Sequence, residues 1–412
     1  MTRRRVAAWL AGTLALLLLA AAIVLSLLAQ PQRLSRLALD TVGGILGLEI
    51  SASGEARYRL RGTPMLEVRD VVARQPGAAT PLLRAERVFL SLPWSTLRNR
   101  AAPLELDRIE LDAPRLDVAA LTAWLATRPP GDGRIPTLRN GLLVNDGRID
   151  GDGWHVEALG LSLDALRAGA PLAAKARGRL VLAPPTAVQF DLRIAAERVE
   201  NGSGAAVTGR ATLDNGSWRL PAYVTASGPL RYDAGTLRVQ PLRFGASARY
   251  DGGDSALPFT LGLHGPLRLR NGAWSLAPAD VVLQGEGVVP TLDARGRIAL
   301  SRALLLELSG RMAAWPQAWP ALPPPLDAPD TPLPFSIAYA GKATLGDPVA
   351  VQLARGDARA EAVLRIAEIL AWSQSAADDS PLPPLRARAT APRIEVPGGV
   401  LEGVEVTIEE SP

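Results

Sequence analysis

The chain of 412 residues contains no cysteine. That absence excludes thiolate zinc and iron–sulfur sites, thiol nucleophiles and disulfide scaffolds together. Histidine is almost as scarce, with only His155 and His264, so imidazole chemistry has two candidates in the whole chain. Lysine occurs only at Lys175 and Lys342. A nucleic-acid partner demands a sustained basic stripe, and the arginines here alternate with acids instead; no nucleic acid is expected. The formal net charge of +4 (45 Lys and Arg against 41 Asp and Glu) owes three charges to Arg3, Arg4 and Arg5, which leaves +1 for the rest. Long amphipathic helical patterns are also few.

Turn formers and one long apolar run are abundant. Glycine (38) and proline (35) together make up about 18% of the chain, against roughly 12% in an average protein, which favours many short β elements. Val6–Ala29 holds 24 residues without a charge, roughly 36 Å of helix and enough to span a bilayer. A cleaved signal peptide usually has an apolar region of about 7–15 residues ending in a small-x-small site. In the stretch Leu27, Leu28, Ala29 before Gln30, Leu27 stands where cleavage wants a small residue, so the run reads as an uncleaved anchor. The positive-inside rule keeps the tip 1–5 in the cytoplasm and sends residues 30–412 across. In a bacterium this places a single span in the inner membrane and the bulk of the chain in the periplasm.

Strict apolar–polar alternation dominates the exported part. Val188, Phe190, Leu192 and Ile194 form one such set; Phe259, Leu261 and Leu263 another; Phe335, Ile337 and Tyr339 a third; Val349, Val351 and Leu353 a fourth; Val404, Val406 and Ile408 a fifth. Period two with one apolar face predicts half-buried antiparallel strands. Asn140-Gly141, Asp146-Gly147, Asn201-Gly202, Asn215-Gly216, Asp251-Gly252 and Asn271-Gly272 read as hairpin turns. A proline followed seven residues later by glycine recurs at Pro171/Gly178, Pro221/Gly228, Pro258/Gly265 and Pro334/Gly341. This reads as a repeated hairpin whose strand opens at the proline and ends in a glycine turn. Related glycine starts stand at GRATL (209) and GRIAL (296). Helices are predicted at 117–127, where Asp117 caps and Pro129-Pro130 stops, with a turn at 94–98 and a further segment at 31–47. Trp315–Pro334, with eight prolines, and Ser373–Pro384 read as loops.

No reaction centre emerges. The acids Asp146, Asp150 and Asp152 lack the distal glutamate of a calcium loop, GKAT at 341 lacks a phosphate loop, and no G-x-S-x-G elbow occurs. A non-enzymatic protein without cofactor or metal is expected. The predicted fold is mostly β: an elongated, curled antiparallel sheet, a repeating β-groove with a few short helices, preceded by one transmembrane helix. Its apolar inner face, lined by the alternating residues named above, suits acyl chains.

The segments TVGGILGLEISASGEARYRLRGTPMLEVRDVVAR (41–74), LLRAERVFLSLPWSTLRNRAAPLELDRIELDAPRLDVAALTAWLA (82–126) and RIEVPGGVLEGVEVTIEE (393–410) resemble AsmA-family proteins of Gram-negative bacteria. That resemblance implies an N-terminal β region over 30–130 and a groove of repeated hairpins over 131–412 with a proline-rich loop at 315–334. It also implies phospholipid movement between the inner and outer membranes, contributing to outer-membrane lipid homeostasis. A periplasmic scaffold that assembles outer-membrane proteins or a secretion complex, binding a protein at its far end, is the alternative.

The topology is testable. Alkaline phosphatase fused after Pro412 should be active in a Gram-negative host, and a fluorescent protein fused there by the same export route should be dark. Replacing Arg3, Arg4 and Arg5 by Glu should lower the phosphatase signal severalfold; a phosphatase fusion that is inactive from the outset sinks the assignment.

Overall fold

The computed structural model describes residues 43–408 except 45–46, 60, 96–104, 128–136, 234, 254, 271, 320–321, 323, 325, 328–330, 376–383 and 397–398. The apolar run 6–29, the arginines at 3–5 and nearly all of 31–47 lie outside these residues. Among the described residues no helix is long and apolar enough to cross a membrane. The chain divides into two compact units, Met1–Ala187 and Val188–Pro412.

In the first unit the strands are β1 (Glu49–Ala52), β2 (Ala56–Arg59), β3 (Met65–Arg74), β4 (Leu83–Ser91), β5 (Glu105–Leu106), β6 (Arg108–Asp112), β7 (Arg115–Asp117), β8 (Thr137–Leu138), β9 (Leu142–Asp150), β10 (His155–Leu163) and β11 (Leu172–Val181). β1 and β2 both pair antiparallel with β3, which pairs antiparallel with β4. β6 and β7 together form the next neighbour of β4, broken at Ala113-Pro114, where Ala113 adopts a left-handed φ of 46°. The sheet buries Val68, Val71 and Ala73 of β3, and Leu82, Ala85 and Val144 are buried as well. On its polar face Arg87 of β4 reaches Glu110 and Asp112 at 3.1 Å each and Glu67 at 3.3 Å. Burial opposes its charge, but the hydrogen bonds to the three carboxylates hold the guanidinium pKa above its ordinary value. Asp112, which accepts from Asn145 at 2.8 Å and from Arg87, is held below the usual carboxylate range.

The expectation of antiparallel pairing throughout is corrected in the first unit: β6 and β7 pair parallel with β9, and β5 pairs parallel with β8 in a separate two-stranded sheet. The cause is helix α1 (Val118–Ala126), because a segment long enough to hold a helix can return the chain to start the next strand in the same direction. Asp117 accepts from the Ala120 N–H at 2.7 Å and caps this helix as predicted. A second correction concerns Asp146-Gly147, which makes no hairpin. Asp146 has a φ of 51° inside β9, at a shift in register with β10, so the pair forms a bulge.

The second unit opens with β12 (Ala187–Ala196), β13 (Gly204–Asp214), β14 (Trp218–Asp233), β15 (Thr236–Gly252), β16 (Ser255–Arg270) and β17 (Ala273–Gly285). It continues with β18 (Leu292–Leu300), β19 (Leu304–Met312), β20 (Leu333–Gly341), β21 (Val349–Arg355), β22 (Ala358–Leu364), β23 (Leu385–Val396) and β24 (Gly399–Ile408). From β13 onward each strand pairs antiparallel with the next, an uninterrupted meander. Asn215-Gly216 turns β13 into β14 as predicted, with Gly216 at a φ of 78°. Helix α2 (Ile366–Ser375) was not foreseen; it takes Ser373–Ser375 out of the loop expected from Ser373 onward.

The proline–glycine unit also needs correction. β20 runs from Leu333 to Gly341, so Pro334/Gly341 behaves as predicted, whereas Gly228 and Gly265 stand in mid-strand. The ladder shifts register between Ser227 and Leu230 in β14, Val239 and Leu242 in β15, His264 and Leu267 in β16, and Leu276 and Ala279 in β17. Each interval contains a proline, at 229, 241, 266 and 278. Proline offers no N–H to the ladder, so the strand continues while one pairing is lost, and four adjacent strands share a crease. Glycine lies beside it because backbone fills the space a side chain needs. A Cβ at Gly228 would collide with the Pro241 carbonyl, one at Gly265 with that of Pro278, and one at Gly296 with that of Glu307.

This predicts unequal losses at two glycines. Gly296→Val should lower the stability of residues 30–412 by about 2 kcal/mol or more, since the obstructing atom is backbone and cannot move aside. Gly287→Ala, in open space at a φ of 65°, should cost about 1 kcal/mol for its backbone conformation alone. Urea midpoints read both, and equal losses would show that the close approach is not limiting.

Candidate functional site: one apolar sheet face and its cover

Cross-strand register joins the predicted alternating sets in the second unit. One row runs Ala226, Phe244, Leu263, Val281, Ala294, Gly310, Phe335, Leu353, Ala360, Ala389 and Val406, each directly opposite the next from β14 to β24. Beyond the crease a second runs Leu230, Val239, Leu267, Leu276, Ile298, Leu306, Tyr339, Val349, Leu364 and Leu385. Phe259 and Leu261 pair with Ala248 and Ala246, Ile337 with Leu308 and Val351, and Val404 and Ile408 with Ala391 and Ala387. Val188, Phe190, Leu192 and Ile194 of β12 are half-buried and alternate with exposed neighbours.

One residue along, the opposite face is polar from strand to strand: Arg243, His264, Asp280, Arg295, Ser309, Ser336, Gln352, Glu361 and Arg388. Arg295 donates to Asp280 at 2.6 Å and His264 lies 3.4 Å from the same carboxylate. Those two hydrogen bonds hold Asp280 below the usual carboxylate range. His264 is thus one member of a polar row, and His155 lies 3.6 Å from Glu157 at the start of β10. Asp150 accepts from Arg148 at 2.7 Å. Among the described residues no three His, Asp or Glu side chains gather as a metal site.

The apolar face is unevenly covered. Leu276, Ala279, Val281, Ala294, Ile298, Met312, Leu333, Phe335 and Leu353 form one buried cluster, with Phe335 at 5% and Leu276 at 1% exposure. Tyr339, 2% exposed, donates its hydroxyl to the Lys342 carbonyl at 2.6 Å in the loop after β20. Leu261, Leu263, Leu308 and Ile337 pack against the cluster. At the two sides the face is open: Leu230 is 38% and Val406 43% exposed.

The cover is the proline-rich segment read from sequence as a loop. Trp315, Trp319 and Leu322 pack on the central cluster, and Leu326, 2% exposed, forms a second one with Ala358 and Ala391. The tryptophans meet edge to face with ring centres 4.8 Å apart. Trp319 donates its indole N–H to the Val288 carbonyl at 3.0 Å, and Arg355 donates to the Thr331 carbonyl at 2.9 Å. The segment is therefore a strap over the apolar face. No local periodicity in the sequence tells which surface a loop crosses, so the placement of these tryptophans is not legible there.

No family model, curated protein or solved structure matches this chain. Among the described residues the face offers apolar area and no cluster of metal-ligating side chains.

A charge at two positions tests the uneven cover. Phe335→Asp should cost more than about 3 kcal/mol, because a carboxylate there is sealed from water without a partner. Val406→Asp, in the same row but exposed, should cost less than about 1 kcal/mol. Similar urea midpoints for the two variants would refute the cover.

Proposed function

We propose that the chain is an inner-membrane-anchored periplasmic protein of the AsmA type that binds or transfers phospholipid, its acyl chains lying along the apolar face of the second unit. The observation that carries the reading is the continuity of that face: one apolar row passes through consecutive strands from β14 to β24, with Val406 exposed at its far end and Leu230 of the second row exposed on β14. An acyl chain needs contact area and no hydrogen bonds, at about 0.8 kcal/mol per buried CH₂. The row at Ala226 to Val406 supplies side chains of that kind alone. The uncharged run Val6–Ala29 supports the membrane side of the reading by its length, and Arg3–Arg5 support its orientation. The motif resemblance over 41–126 and 393–410 supports the family. A protein-binding scaffold is the competing role, and it places a polypeptide where the first reading places lipid.

Photocrosslinking separates the two. The full chain, extracted in mild detergent with benzoylphenylalanine in place of Phe259, should capture phospholipid identifiable by mass spectrometry. The same probe at Thr260, one residue along on the polar face, should capture far less. Protein captured at Phe259 with no lipid at any position of the row would refute lipid binding and favour the scaffold.

A further inference from the structure

We infer that the strap between β19 and β20 is a displaceable occupant of the lipid site, holding in the empty protein the place that acyl chains take when bound. The inference rests on the lipid reading above and adds its regulation.

The first argument is length. Met312 and Leu333 are directly opposed across β19 and β20, so residues 313–332 are in effect a hairpin loop. Such loops need about 2–5 residues. The extra chain is not required to join the strands, and its described apolar residues lie on the face the strands create. The second argument is the kind of attachment. Trp315, Trp319, Leu322 and Leu326 dock through side chains on Leu, Phe, Met and Ala surfaces. Seven of the residues 313–332 are prolines and have no N–H to give to a strand ladder. The apolar part of the strap's attachment is thus of the same non-directional kind an acyl chain makes, so one can replace the other on that face; the hydrogen bonds from Trp319 to Val288 and from Arg355 to Thr331 are exchanged for water when the strap leaves. The third is extent. The strap contacts reach from the loop after β17, at Val288, to Ala391 of β23. The open positions of the face, Leu230 on β14 and Val406 on β24, flank this stretch. A chain entering from either side meets the strap next.

The lack of cysteine in the sequence allows a clean test. The full-length chain carrying Leu326→Cys and Ala391→Cys, two positions in one buried cluster, locks the strap when oxidised and frees it when reduced. The probe is a phosphatidylethanolamine with a fluorescent acyl chain, presented in vesicles of phosphatidylethanolamine and phosphatidylglycerol. We expect oxidation to weaken probe uptake at least tenfold and reduction to restore it. A second variant, Trp319→Ala with Leu322→Ala, should bind the probe severalfold more tightly without any disulfide, and it keeps the test alive if the cysteine pair does not close. Equal uptake by locked and free forms, with lipid still captured at position 259, would overturn the strap and leave the lipid reading intact. No uptake by any form, and no lipid at position 259, would remove both.

Discussion

Side chains that alternate between water and oil leave a sheet with one face that has to be hidden, and the second unit is organised around that requirement. The period of two sets the apolar residues of β13 to β24 on one side, and antiparallel register carries them strand to strand. Charged and hydroxyl side chains collect on the other side for the same geometric reason. Burial of the apolar face is the main source of stability available to such a sheet, and no layer of helices lies among the described residues to provide it. Central positions such as Leu276 and Phe335 gain their burial from neighbouring rows and from the strap; positions at the sides stay partly wet.

The crease and its glycines follow from that demand. Glycine beside a missing ladder bond lets the backbone bend where the register shifts. The four prolines at 229, 241, 266 and 278 fall on adjacent strands, so the loss of pairing is concentrated along one line and the remaining register stays intact. The first unit solves its smaller problem differently, with a parallel crossover through α1 and a guanidinium at the centre of three carboxylates.

Much of this was legible from the residues, and the misses have physical reasons. Period-two sets such as Phe259–Leu263 and Phe335–Tyr339 identify strands because their alternation is unbroken. β17 is harder: Trp274 and Leu276 share a face with Ala279, Val281 and Leu283, and the extra residue at Ala277-Pro278 shifts the phase in the middle of the strand. Asp117 announces α1 through its side chain, a local effect. α2 shows only Ile366, Ile369 and Leu370 at helical spacing, a pattern easily overlooked in a β-rich chain. The parallel pairing of β9 and the path of the strap depend on contacts between residues far apart in sequence, which no local pattern carries.

One property of the meander has a wider consequence. Because, among the described residues, each strand from β13 onward pairs with its immediate neighbours in the chain, the energy of the strand ladder, apart from the strap, is close to a sum of repeated units and nearest-neighbour interfaces, as in solenoids. Whole hairpins can then be gained or lost through duplication and deletion while every other interface keeps its partners. Length becomes an evolvable quantity, counted in strand pairs of roughly 9.6 Å each, and is separable from the chemistry of the face. Two chains with the same apolar row and different numbers of hairpins would differ in reach and hardly at all in local structure.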